Sequence, residues 1–345
     1  MDFKAAVLVK NNAPLVVDQI SYNDPLDYGQ VLVKLKYSGI CGSQLGEIDG
    51  AKGPDKYLPH LLGHEGSGVI VDVGPGIKNF KKNDKVILHW RPSSGIQSLP
   101  PKYIMNKKTV NAGWITTFNE YAVVSENRLT LLPKEIDYKT GALFGCAVTT
   151  GFGVVENNAQ IKIAESVIVF GAGGVGLNII QALDLRTAYP IIAVDLYDNR
   201  LKLAKKMGAT HILNSSDDNF QEKFNSLIKK FQIDCFIDNT GLPKIIELGY
   251  KSVKKNGRVI CVGVPKKDKN INIYSLDLHF DKILTGSHGG ESLPEFDIPR
   301  YALISKKKKN IFDSLITKTY KLDDINDALL SMRDGSLSGR CLIEF

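Results

Sequence analysis

The pattern of hydrophobic and polar positions changes character near Cys146 and Ala147. Before that point the apolar runs are short. Residues 5–9, 31–35 and 85–88 are broken off by Pro, Gly, Asn or Asp, and the run at 68–73 stops in the turn Gly74-Pro75-Gly76. Short strands at this spacing predict a compact antiparallel barrel. After the change, residues 166–170 form a fully apolar strand, 178–185 a helix, 190–195 a strand and 200–207 a helix. Strands at 234–238 and 258–263 follow, with a helix at 245–253 between them. Apolar strands alternating with helices predict an α/β unit whose parallel sheet is covered on both faces. The tail reads as a helix at 325–332 and a last short strand at 341–345.

Composition narrows this picture without redirecting it. A chain of 345 residues with 43% hydrophobic and 23% charged residues is of ordinary globular composition and long enough for two domains. No apolar run approaches the ~20 residues of a transmembrane helix, so no membrane partner is expected. The opening stretch has too short an apolar core for a signal peptide. The five cysteines are scattered and odd in number, which argues against a disulfide framework and for a reducing, cytoplasmic location. The net charge of +7 reads as a Lys-rich surface. Its densest cluster, residues 306–309, lacks the interleaved aromatics of a nucleic-acid platform, so it reads as a solvated helix end or loop.

Two constellations carry chemistry. Gly171-Ala172-Gly173-Gly174-Val175-Gly176 follows the apolar strand directly and opens a helix, as a dinucleotide-binding loop requires. Gly171 permits the tight turn, Gly173 lets the backbone approach a pyrophosphate, and Gly176 allows close helix–strand packing. Asp195 ends the next strand. A carboxylate there accepts from both ribose hydroxyls and repels a 2′-phosphate, which favours NAD over NADP, with Arg200 nearby as a countervailing cation. The second constellation is Cys41, Gly63-His64-Glu65-Gly66 and Cys146. Cys41 and Cys146 lie among small, turn-forming residues, whereas Cys235, Cys261 and Cys341 sit inside apolar strands and read as core. Two thiols, an imidazole and a carboxylate can bind zinc.

Taken in order, Gly-Ile-Cys-Gly-Ser, Gly-His-Glu-Gly, Gly-Cys-x-x-Thr-Thr-Gly and Gly-x-Gly-Gly-Val-Gly resemble the zinc-containing medium-chain dehydrogenase/reductase family, the alcohol dehydrogenases, over essentially the whole chain. The resemblance implies a GroES-like barrel catalytic domain from residues 1–147 and 287–345. A Rossmann doubly wound parallel sheet domain, residues 148–286, is inserted between them. It implies one catalytic zinc per chain on Cys41, His64 and Cys146, with Glu65 in or beside the coordination shell. It also implies a proton relay starting at Ser43, Thr150 near the nicotinamide, and Arg340 on the pyrophosphate, if Arg340 is not simply a surface residue. Family members commonly pair through the edge of the Rossmann sheet, here residues 270–284, so a homodimer or homotetramer is expected.

The chain departs from the family pattern in three places. The segment after residues 86–88 contains no cysteine, so a second, structural zinc is not expected. Gln44 stands where most members have an aspartate that orients the zinc-bound histidine, and Gly46 where some have a histidine that passes a proton to solvent. By position Trp90 lines the substrate pocket. Arg91 either binds a carboxylate or phosphate there or faces solvent at the rim. The reading is a zinc-dependent alcohol dehydrogenase or carbonyl reductase that uses NAD. Its substrate is a small alcohol or carbonyl compound, with polyols, sugars and phosphorylated sugars included. The alternatives are a non-catalytic NAD-binding redox sensor and a zinc-free quinone or enoyl reductase of the same fold.

Overall fold

The computed structural model describes residues 1–345 and divides them into two compact units. The first contains Met1–Thr149, Leu293–Asp334 and Arg340–Phe345, and the second Thr150–Ser292 with Gly335–Gly339.

The first unit is built from two sheets. Asp2–Leu8, Val16–Ser21, Lys102–Met105, Lys108–Asn111 and His60–Leu61 close into a barrel. Alternation along Asp2–Leu8 turns Phe3, Ala5 and Val7 inward against Ile20, Leu61, Tyr103 and Val110. The second sheet centres on the long strand Gln30–Gly39, whose Val31, Val33 and Leu35 pack with Ile70, Val86 and Leu88. The C-terminal strand Arg340–Glu344 pairs antiparallel with Gln30–Gly39, setting Leu342 opposite Gly39. This pairing carries the last residues of the chain to the segment that leads into Cys41, where the Ile40 amide donates to the Cys341 carbonyl at 3.2 Å.

The cysteine-free segment after residue 89 is tied down by the buried side chains of Glu126 and Arg128. The Glu126 carboxylate accepts from the amide of Ile96 at 3.0 Å and from the Asn79 side chain at 3.1 Å. Arg128 donates to the Gln97 side chain at 2.8 Å and to the carbonyl of Trp90.

His89, inside this region, is completely buried between the Arg91 carbonyl at 2.7 Å and the Thr130 hydroxyl at 3.0 Å. Burial pushes its pKa down from 6.5 to about 4. The folded state therefore favours the neutral ring. The stability it confers is complete above pH 6.5 and is lost as the pH falls toward 4. The loss amounts to about 3 kcal/mol. Denaturant titrations of wild type and His89→Asn at both ends of this window should show a shallower acid loss in the variant. Parallel pH profiles would refute this role.

The second unit is a six-stranded sheet with every pairing parallel, in the order His211–Asn214, Ile191–Asp195, Val167–Phe170, Cys235–Asp238, Arg258–Cys261, Ile283–Gly286. Val167–Phe170 is buried along its whole length because it has a parallel neighbour on each side and helices above and below. The helix expected from residue 178 begins earlier, at Gly174, because the glycine loop itself supplies its first turn. The segment 270–284 is a strand only from Ile283. A 3₁₀ turn at Ser275–Phe280 precedes it, and Tyr274, Leu276, Leu278 and Phe280 are exposed there. Residues 306–309 span the end of the short helix Ile304–Lys307 and are exposed, with Lys306 pairing to Glu135 at 3.0 Å. No helix is long and apolar enough to cross a membrane.

Candidate metal and dinucleotide sites

Three backbone segments of the first unit converge on one point. Cys41 caps the short helix Gly42–Ile48, His64 lies in the turn between His60–Leu61 and Glu65–Val73, and Cys146 follows the helix Tyr138–Leu143. The ligand atoms of Cys41, His64 and Cys146 all lie within 4.8 Å of one another. Zinc bonds of 2.0–2.3 Å set tetrahedral ligand atoms roughly 3.5–3.8 Å apart, so the three side chains fit such an ion with little movement. The turn depends on Gly63. Its φ is +88°, and a Cβ there would lie 2.4 Å from Thr117 Oγ1.

Electrostatics separate Cys41 from the core thiols. A hydrogen bond from Cys146, with further help from His64 and Arg340, holds Cys41 well below the ordinary thiol pKa. Burial, with the Glu165 and Asp234 carboxylates nearby, pushes Cys235 up to about 12, and burial pushes Cys341 up to about 11. Cys235 and Cys341 are core residues, as expected, while Cys261 is only half-buried.

Glu65 requires a correction. It is fully buried, but it lies outside the three-residue group. One carboxylate oxygen accepts from the Ala147 amide at 3.1 Å and the other pairs with Arg340. Arg340 is its partner and is not a surface residue. Expected on a pyrophosphate or at the surface, it is 3% exposed and its guanidinium is turned onto Glu65. The physical reason is the same for both, since a carboxylate with no access to water needs a cation and donors at close range. Ser43 lies in the first turn after Cys41, and its hydroxyl oxygen is buried with no hydrogen-bond partner. Gln44 does not work through the imidazole of His64. Its carbonyl oxygen accepts from the amide of Gly63 at 2.8 Å.

Trp90 and Arg91 leave the strand Lys85–His89 one residue beyond the pairing of His89 with Glu65. Trp90 is half-buried against the core of the second sheet, and its amide donates to the Gly145 carbonyl at 3.3 Å, next to Cys146. Arg91 is half-buried, and Trp114 is half-exposed with the Arg128 guanidinium 6.0 Å from its ring centre.

In the second unit the glycine loop has the geometry its residues suggest. Gly171 has a φ of +97°, which favours glycine. A Cβ at Gly176 would lie 2.0 Å from the Gly171 carbonyl oxygen, whereas a Cβ at Gly173 would meet nothing within 4 Å. Gly173 also caps the helix Gly174–Leu185 without any side-chain partner, so Gly174, Val175 and Gly176 form a first turn with free amide donors. Asp195 is buried. It accepts from the Ala172 amide at 2.7 Å and from the Tyr197 amide at 3.1 Å, binding strand end to loop. Arg200 approaches Asp195 at 3.9 Å, stacks over Tyr197 at 4.7 Å and donates to the Leu337 carbonyl at 3.3 Å. Thr150, also buried, belongs to this unit. The sequence reading missed Asn239, whose amide donates to the Gly171 carbonyl at 3.3 Å. Its place directly after a buried parallel strand was the available signal.

A parallel sheet with a phosphate-type glycine loop, together with a barrel unit carrying two thiols and an imidazole, defines an alcohol dehydrogenase-type oxidoreductase acting on CH–OH groups. Comparison with known proteins agrees. Residues 27–134 match the alcohol dehydrogenase GroES-like domain, and residues 174–303 match the zinc-binding dehydrogenase family. The chain is 30% identical to S-(hydroxymethyl)glutathione dehydrogenase of Paracoccus denitrificans, over 97% of this chain and 98% of that protein. It superposes on benzyl alcohol dehydrogenase from Acinetobacter calcoaceticus with a TM-score of 0.88 at 28% identity, covering 100% of this chain and 99% of the other. For 2R,3R-butanediol dehydrogenase from Bacillus subtilis the TM-score is 0.78 at 26% identity, with 99% of each chain covered. The chain belongs to the zinc-dependent medium-chain dehydrogenase/reductase family.

Proposed function

We propose that the protein is a zinc-dependent, NAD-linked dehydrogenase that interconverts an alcohol and its carbonyl compound. The supporting observation is the Cys41/His64/Cys146 group, a three-ligand set of the kind that leaves a fourth tetrahedral position for a substrate oxygen. When bound, zinc supplies a Lewis acid for the substrate oxygen and NAD the hydride acceptor. Cys41, His64 and Cys146 would hold the ion. The buried, unpartnered Ser43 hydroxyl would take up the proton of the substrate hydroxyl. Glu65 and Arg340, paired beneath the group, keep its surroundings close to neutral without entering it. In the second unit the amides of the first helical turn would hold the pyrophosphate. Asp195 would accept from the ribose hydroxyls and disfavour a 2′-phosphate.

The relatives named above act on quite different alcohols, so the substrate class stays broad: a primary or secondary alcohol, a polyol, a sugar or a phosphorylated sugar, with Trp90 and Arg91 as pocket residues. The chain would pair as a homodimer or homotetramer through the segment 270–284, where Tyr274, Leu276, Leu278, Phe280 and Ile283 are exposed. The direct test is NAD reduction against such a panel with zinc-loaded protein, before and after dialysis against a chelator. Turnover should vanish with the metal and return on zinc addition, while NADH binding persists. Full turnover in verified metal-free protein would refute the zinc role.

A further inference from the structure

Gln44 is only 2% exposed and makes two hydrogen bonds of opposite polarity. Its carbonyl oxygen accepts from the Gly63 amide at 2.8 Å, and its amide nitrogen donates to a carboxylate oxygen of Glu47 at 2.7 Å. The partners leave only one orientation for the side chain. A backbone N–H can only donate and an ionised carboxylate can only accept, so a flipped amide would lose both bonds. Glu47 lies one turn further along the same helix, where a side chain leans back toward position i−3. It is about one-third exposed and reaches Lys52 at 3.8 Å.

The couple joins two of the three ligand segments. Gln44 stands on the helix that Cys41 caps, and Gly63 is the residue before His64. Gly63 has a φ of +88°, a region glycine enters freely but does not hold by itself, because it has no side chain to restrict the backbone. A hydrogen bond to its amide therefore sets where the next residue begins. We propose that Gln44 and Glu47 form a positioning couple for the metal-binding imidazole. It acts through the main chain before His64, with Glu47 locking the Gln44 amide. The Glu47 charge reaches the site only at second hand, because a neutral amide stands between its carboxylate and the ligand loop. This inference rests on the reading that Cys41, His64 and Cys146 bind zinc.

The test measures zinc affinity by competition with a chromophoric chelator. It also records the visible absorption spectrum of the cobalt-substituted protein, which reports coordination geometry, and the melting temperature of the metal-free form. Gln44→Ala should weaken zinc binding by about 10- to 100-fold and alter the cobalt bands. Glu47→Ala should weaken it in the same direction by a smaller factor. Glu47→Gln keeps an acceptor oxygen for the Gln44 amide and should restore affinity to within about threefold of wild type. The double variant Gln44→Ala/Glu47→Ala should be no weaker than Gln44→Ala alone, because the two act in series. Wild-type affinity and cobalt spectrum in Gln44→Ala would overturn the inference, as would equal losses in Glu47→Ala and Glu47→Gln. If Gln44→Ala fails to fold, the contrast between the two Glu47 variants decides alone. A wild-type protein that binds no zinc would instead overturn the underlying metal assignment, so the two failures are distinct.

Discussion

Cys146→Ala and His64→Ala should each lower alcohol-oxidation kcat/KM by at least about a thousandfold while leaving NADH affinity within about twofold. The size follows from what a Lewis acid contributes to the transition state, several kcal/mol at about 1.4 kcal/mol per factor of ten. The selectivity follows from location. The ligand atoms belong to the first unit, whereas the glycine loop and Asp195 belong to the second. A matched control is Cys235→Ala, which removes a fully buried thiol that burial keeps protonated. That change should cost some stability without touching the chemistry. Steady-state kinetics with NADH fluorescence titration checks both. Comparable losses of turnover and NADH affinity would point to general unfolding, and preserved turnover in His64→Ala would remove the imidazole from the site.

Two glycines only three positions apart should respond to the same added methyl in opposite ways. Gly176→Ala drives a Cβ to 2.0 Å from the Gly171 carbonyl oxygen, a backbone atom that cannot swing aside. The strand Val167–Phe170 and the helix Gly174–Leu185 must then move apart, with an expected destabilisation of about 3 kcal/mol. Gly173→Ala meets nothing within 4 Å, and its backbone is extended, so stability should change by less than about 0.5 kcal/mol. The open space is where a pyrophosphate would approach the loop amides, and a methyl there should weaken NADH binding at least about tenfold. Thermal melts and NADH titrations of the two variants give the comparison. A Gly173→Ala protein with unchanged NADH affinity would show that the loop does not face the dinucleotide.

Features encoded over a few adjacent residues could be read directly from the sequence. The apolar run ending at Phe170 and the glycines after it define a strand, a turn and a helix start, because each rests on local sterics or on burial from both faces. Cys41, His64 and Cys146 stood out by chemistry and by turn-forming neighbours, and the structure brings them together. Partner choice was not legible. Glu65 looked like a ligand from its place beside His64, yet its carboxylate is held by Arg340 and the Ala147 amide. Gln44 looked like a substitute for an imidazole partner, yet it holds the main chain before that imidazole. Nor did the residues around His89 show that it is a fully buried ring whose pKa burial pushes down.

By itself, then, the sequence determined the parallel α/β unit, the glycine loop between strand and helix, and the three side chains, Cys41, His64 and Cys146, that the fold brings together. Each follows from periodicity or from side-chain chemistry over short spans. Only the tertiary structure decided which charges meet. Arg340 reaches Glu65 because Arg340–Glu344 pairs with Gln30–Gly39 in one particular register, from the far end of the chain. Strand register between distant segments is selected by the burial of whole faces and by the high cost of an unpaired buried charge. Neither quantity can be read from the residues on either side of Glu65.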